Sequence, residues 1–207
     1  MMNHNKRDRL IDSAAVLFHR NGLSSTSLAD IAKHADIPIG NVYYYFKTKD
    51  ELALAAISKR KEQFSNAYAL LDEGVADPRQ RLIESIGYYD KVRDEYTSYG
   101  CPIGKIITDV DVAKDPVGQT AAQVLTEYVG WAERQFSALG HDADGRKYAA
   151  SLMAGVQGAI VMAKALRDPQ VISDEVKRLT VWLENVPNRK IHIGKVAPKT
   201  SEVPNAA

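Results

Sequence analysis

The first fifty residues repeat apolar positions at helical spacing in short pieces separated by capping residues, and a long piece follows them. Isolated helices below about 12–15 residues are marginal in water, so such pieces persist only by packing on one another. The first piece runs from Lys6 to Asn21 with an apolar stripe of Leu10, Ile11, Ala14, Leu17 and Phe18, and Gly22 stops it. Ser27 or Thr26 caps a second piece, Leu28 to His34, with Asp30 as capping-box partner. Ala35-Asp36-Ile37 turns the chain. Pro38 suits the first position of a third helix ending near Tyr45, because its missing N–H costs nothing there. Thr48-Lys49-Asp50-Glu51 predicts a full capping box opening a long helix towards Leu71.

The remainder also reads as helical, with scarce strand signals and no internal repeat. Asp72 to Asp77 is expected to connect, and Pro78 to start a helix reaching Ser98. Tyr99-Gly100-Cys101-Pro102 breaks the chain before a short helix, Ile103 to Val110. Further helices are predicted from Pro116 to Gly140, from Gly145 to Leu166, and from a Ser173 cap to Asn185. Pro187 to Ala207 carries three prolines and no periodicity, and is expected to be a disordered tail. The expected class is all-α, with a three-helix head joined by a long helix to a helical ligand-binding and dimerisation body. The boundaries are 1–50, 51–186 and 187–207.

Charge separates the ends. Residues 1–61 hold ten Lys/Arg against six Asp/Glu, a net +4, while the remaining 17 and 20 leave −3. A basic head on a slightly acidic body is the asymmetry of a chain that meets phosphate at one end. A single cysteine, Cys101, excludes an internal disulfide and fits a reducing cytoplasm. No apolar leader segment opens the chain, and no uninterrupted apolar run approaches the ~20 residues of a membrane span. The expectation is a cytoplasmic protein with no membrane partner and no cofactor.

Three short helices before a long one describe a helix-turn-helix, whose second short helix must be rigid and polar outward to enter a major groove about 12 Å wide. Gly40 permits close backbone approach. Asn41, Tyr43, Tyr44 and Lys47 supply polar tips. Thr26, Ser27, Thr48 and Lys49 sit at helix N-termini, where N–H groups and positive charge hold phosphate.

The run Ile11-x-x-Ala14-x-x-Leu17-Phe18, then Gly22, Thr26-Ser27-Leu28-x-x-Ile31-Ala32-x-x-Ala35, and Gly40-x-Val42-Tyr43-x-Tyr45-Phe46-x-x-Lys49-Asp50-x-Leu52, resembles the DNA-binding signature of the TetR family. The resemblance implies that Tyr43 and Tyr44 contact phosphate or base edges, that Lys49 holds phosphate, and that Tyr45 and Phe46 are core residues beneath the motif. Two positions depart from the family pattern. Asp36 replaces a glycine, so the turn requires a left-handed aspartate, which Asp tolerates. Pro38-Ile39 replaces a Ser/Thr and a polar residue, which removes two base-reading candidates.

By the same resemblance the protein is a homodimeric repressor of palindromic operator DNA, released by a small-molecule effector. Small residues from Ala149 to Ala163, with Val176, Leu179, Val181, Trp182 and Leu183, are the candidate dimer helices. An aromatic wall of Phe64, Tyr68, Tyr88, Tyr89, Tyr96, Tyr128 and Trp131, with Gln157 and Cys101, suits an apolar or aromatic effector. Cys101 stands near a helix N-terminus with Lys105 nearby, and both features lower a thiol pKa. The Gly-Cys-Pro step is similar to branches of the family around the N-ethylmaleimide reductase repressor and the drug- or flavonoid-responsive repressors. In the first, Lys164 of Ala163-Lys164 would accompany a reactive Cys101, and covalent modification would be the switch. Two other classes stand beside the repressor: an enzyme with Cys101 as nucleophile, for which no motif places a base, and an adaptor without DNA binding. No metal or catalytic motif joins the five histidines, His4, His19, His34, His141 and His192.

Overall fold

The computed structural model describes residues 6–190, and all regular structure among them is helical. The helices are α1 (Lys6–Asn21), α2 (Leu28–His34), α3 (Ile39–Tyr45), α4 (Lys49–Gly74), α5 (Pro78–Lys91), α6 (Arg93–Tyr99), α7 (Pro102–Asp109), α8 (Pro116–Ala138), α9 (Gly145–Leu166) and α10 (Gln170–Asn185). His4, His192 and most of the proposed tail lie outside the described residues.

Local signals fixed several boundaries. Gly22 closes α1 at φ 92°, and Asp36 turns the chain at φ 51°. Ser27 and Asp30 form both halves of the capping box on α2. Pro38 is the N-cap of α3, one position earlier than predicted. At α4 only half the expected box forms. Thr48 accepts from the Glu51 N–H, but the Glu51 carboxylate accepts from the Lys47 N–H at 2.7 Å.

The helix expected from Pro78 to Ser98 is interrupted at Val92. The interruption coincides with Asp90, whose Oδ1 takes the Ser173 hydroxyl at 2.5 Å and Arg93 Nη1 at 3.2 Å. Ser173 is therefore a buried residue inside α10 and not its cap, a position held by Pro169. At the end of α10 the chain stays docked through Lys190. The Arg189 N–H donates to Leu139 O at 2.9 Å, and His141 Nε2–H donates to Pro187 O at 2.7 Å.

Two apolar cores organise the molecule. One joins α1–α3 and the first half of α4 to α7 and the start of α8, with Leu10, Phe18, Ile31 and Leu52 against Ile103, Ile106 and Val117. The other fills the body around Leu82, Tyr128, Phe136, Leu152 and Leu183, and Cys101 packs against both. A boundary near residue 50 therefore cuts through a shared core: the head is seated on the body.

Helix α9 is the most apolar of the long helices, though Arg146, Lys147, Gln157 and Lys164 interrupt its apolar run. By length and composition it could cross a membrane, with a mean hydropathy of 1.5 over its most apolar window, of which 39% is buried. Its inner face carries Leu152, Val156 and Ile160 into the core, while Val161, Met162 and Leu166 stay exposed.

Candidate nucleic-acid interface and ligand cavity

Helix α3 has seven residues and one fully buried side chain, Val42. With Phe46 just beyond its end, Val42 anchors the helix in the head core. Tyr43 and Tyr44 turn the other way and are 51% and 76% exposed. Tyr45, half-buried, meets Tyr44 edge-on at 5.0 Å. Exposed aromatic rings on a short helix cost the free protein apolar hydration, which only an external surface can relieve. A Cβ added at Gly40 would meet no atom within 4 Å. Interior packing does not require a glycine there, and the space beyond its Cα is open to an external surface.

The remaining candidates separate by what they already bond. Ser27 and Thr48 are exposed N-caps, and Asn41 is half-buried. Lys47 is exposed and reaches back to Tyr43 O at 2.7 Å. Lys49 is tied to Leu23 O at 2.9 Å across the α1–α2 loop, which leaves two of its ammonium hydrogens. Thr26 is corrected: it is 2% exposed, and its hydroxyl donates to Gly22 O at 2.8 Å, so it braces the loop from inside. Sequence reasoning missed Arg9. Its guanidinium straps α1 to the α2–α3 turn through Ala35 O at 2.5 Å and Asp36 O at 3.3 Å.

Head and body meet at a polar junction. Buried His19 on α1 donates from Nε2 to Gly100 O at 2.7 Å, and its Nδ1 lies 3.3 Å from Glu95 Oε1. Burial lowers the His19 pKa, against the Gly100 bond and the Glu95 charge, which raise it. Lys105 donates to His19 O at 3.3 Å and Arg20 O at 3.1 Å, closing the C-terminus of α1.

That geometry corrects the reading of Cys101. Lys105 is turned to α1 and does not activate the thiol. Lys164 is exposed and reaches Tyr99 O at 3.4 Å. Cys101 Sγ accepts from the Gly104 N–H at 3.3 Å as the N-cap of α7. Burial nevertheless pushes its pKa up, beyond what the Gly104 bond pulls down. A raised pKa lowers the share of reactive thiolate at neutral pH. Native protein at pH 7.5 is therefore expected to react with iodoacetamide more slowly than N-acetylcysteine, with the difference vanishing in denaturant. A native rate equal to the free thiol's would restore the covalent-switch reading.

The nine residues proposed for the effector wall divide. A cavity of about 700 Å³ opens between α4 and α5, and Phe64, Tyr68, Tyr88 and Tyr89 line it. Its size is that of small-molecule sites. Tyr128 and Trp131 are 2% exposed and belong to the core behind it, where Trp131 stacks on Tyr68 at 4.9 Å and donates to Asp72. Tyr96 is also core, packed edge-on against His19. Gln157 bonds Met153 Sδ and lies beside Cys101 and Gly104, away from the lining. Arg60, Gln63, Leu71, Ile83, Glu84 and Lys91 are among the other lining residues and were not anticipated. The one sequence signal for them was the cation run Lys59-Arg60-Lys61.

Comparison with known proteins gives a consistent picture. Residues 10–56 match the family of bacterial regulatory proteins, tetR family. An HTH-type transcriptional regulator from the lacX 3′ region of Lactococcus lactis subsp. lactis is 22% identical over 188 residues, covering 88% of this chain and 95% of that protein. Among solved structures, a TetR transcriptional regulator from Legionella pneumophila superposes with a TM-score of 0.78 at 17% identity, over 88% of this chain and 98% of that one. The reduced form of Escherichia coli NemR superposes with a TM-score of 0.71 at 18% identity, over 85% and 95% of the two chains.

Proposed function

We propose that this chain, whose residues 10–56 match the tetR family of bacterial regulatory proteins, is a transcriptional regulator that acts as a homodimeric repressor of a palindromic operator, released when a small apolar or aromatic molecule enters the α4–α5 cavity. The observation that carries the reading is α3 itself: one side buried in a rigid head, the other presenting two exposed tyrosines and a glycine with open space beyond its Cα. In this reading Tyr43, Tyr44, Asn41 and the Gly40 backbone lie against base edges and phosphates. Ser27, Lys47, Thr48 and Lys49 hold the flanking phosphates. Residues 1–50 read DNA, and 51–186 bind effector and partner.

The exposed strip of α9 and α10, with Val161, Met162, Leu166 and Val181, supports pairing with a second copy. Release works as a shift between two arrangements. Helix α4 joins the head at its Thr48 N-cap and walls the cavity with Phe64 and Tyr68, so a ligand that favours one position of α4 favours one spacing of the two heads.

Binding of the full-length protein to DNA upstream of its own gene tests the reading. Affinity is expected to fall with salt with a log–log slope steeper than about −2, since each phosphate neutralised adds about −0.9. A flat response between about 50 and 200 mM salt, the range that brackets physiological ionic strength, would remove the phosphate contacts and the operator with them.

A further inference from the structure

Three consecutive cations cross the middle of α4, and two of them are spent. Lys59 Nζ lies 2.5 Å from Asp12 Oδ1, and Lys61 Nζ lies 2.6 Å from Glu127 Oε1. Arg60, between them, is half-buried over the Phe64 ring at 5.8 Å, and among the described residues no carboxylate pairs with it. It lines the large cavity and also the small space of about 30 Å³ behind it, beside His19. A half-buried guanidinium with no carboxylate partner leaves its donors open to a ligand, and a planar oxyanion is the partner its fork fits best.

The rest of the lining agrees with that polarity. Lys91 and Glu84 are its other charged residues, and the Glu84 carboxylate accepts from Gln80 Nε2 at 3.3 Å. The wall therefore carries one positive charge in excess. Burial keeps the Tyr68 phenol protonated, so it adds no opposing charge and can donate a hydrogen bond.

We propose that the effector is an organic anion with a planar apolar body, its acidic group held by the Arg60 guanidinium and its rings set among Phe64, Tyr68 and Tyr88. The assignment rests on the reading of this cavity as the effector site. It also supplies a route to the head. The Arg60 charge acts on His19, which ties α1 to Gly100, so an anion that neutralises Arg60 alters the junction on which the head sits.

Two fluorescent probes that differ by one charge test it on the full-length protein: 1-anilinonaphthalene-8-sulfonate, and N-phenyl-1-naphthylamine, the same ring system without the sulfonate. The parent is expected to bind the sulfonate at least about tenfold more tightly, the worth of one charge-assisted contact. Arg60→Gln should erase that preference while keeping the affinity for the neutral probe, which also reports that the variant is folded. Arg60→Lys should retain part of the preference. Gly87→Leu fills cavity space where an added Cβ meets no atom within 4 Å, and should weaken both probes. Equal affinities in the parent, an unchanged sulfonate affinity in Arg60→Gln, or an equal weakening of both probes there overturn the anion assignment and leave the cavity as a ligand site. If Gly87→Leu changes neither affinity, the probes bind elsewhere, and the assignment falls together with the cavity reading.

Discussion

Replacing Tyr43 and Tyr44 together with alanine is expected to weaken operator binding at least about 100-fold and to leave the protein as stable as before. The weaker binding follows from position. The two rings are 51% and 76% exposed on the outer side of α3 and make no hydrogen bond through their hydroxyls among the described residues. A good base-edge interaction is worth about 1–3 kcal/mol, and removing two such interactions at once approaches or exceeds the ~2.7 kcal/mol that corresponds to 100-fold. The stability claim follows from the same exposure, because surface substitutions away from caps and cores usually stay within about ±0.5 kcal/mol. Fluorescence anisotropy with a labelled operator measures the first, and thermal unfolding the second. Parent-like affinity in the double variant would mean that α3 does not face the bases. A drop in stability of several degrees would mean that the rings pack within the protein.

The second large effect is expected at Gly158. An added Cβ there would meet nothing within 4 Å inside the protomer, and the position is exposed between Val161, Met162 and the Ala154–Gly155 stretch. Gly158→Trp should therefore be tolerated by the isolated subunit, and helix propensity improves on losing a glycine. A second copy packed on α9 would meet the indole twice, once from each side of the two-fold axis. Overpacking costs about 1–3 kcal/mol per site, so a doubled cost weakens the dimer about 30-fold to well beyond 1,000-fold. Sedimentation velocity at micromolar protein should show monomers, and operator affinity should fall in parallel. A variant that remains dimeric with the parent's affinity would place the partner on another surface.

The contrast between Gly158 and Gly155 shows why the face reads as unfinished in one subunit. At Gly155 an added Cβ would come within 2.5 Å of Glu175 Oε1 and 3.5 Å of Leu179, so α10 itself accounts for that small residue. No described residue accounts for Gly158.

What the sequence determined by itself was the set of local decisions. The extent of α1, the stop at Gly22, the Ser27–Asp30 box and the left-handed Asp36 depend on residues within four positions of one another. Hydrogen bonds between near neighbours form wherever the chain turns that way, so a reader of the sequence can find them. The tertiary structure decided where the long and polar side chains went. Lys105 spends its charge on carbonyls 85 and 86 positions away, which removes it from Cys101. Asp90 meets Ser173 across 83 positions where one unbroken helix was expected. Thr26 turns inward onto Gly22, and four of the seven proposed aromatic wall residues reach the cavity while three fill the core. A cation finds the nearest acceptor in space, and a thiol takes its pKa from the atoms that exclude water around it. Both are properties of segments brought together by packing, and neighbouring residues in the chain do not encode them.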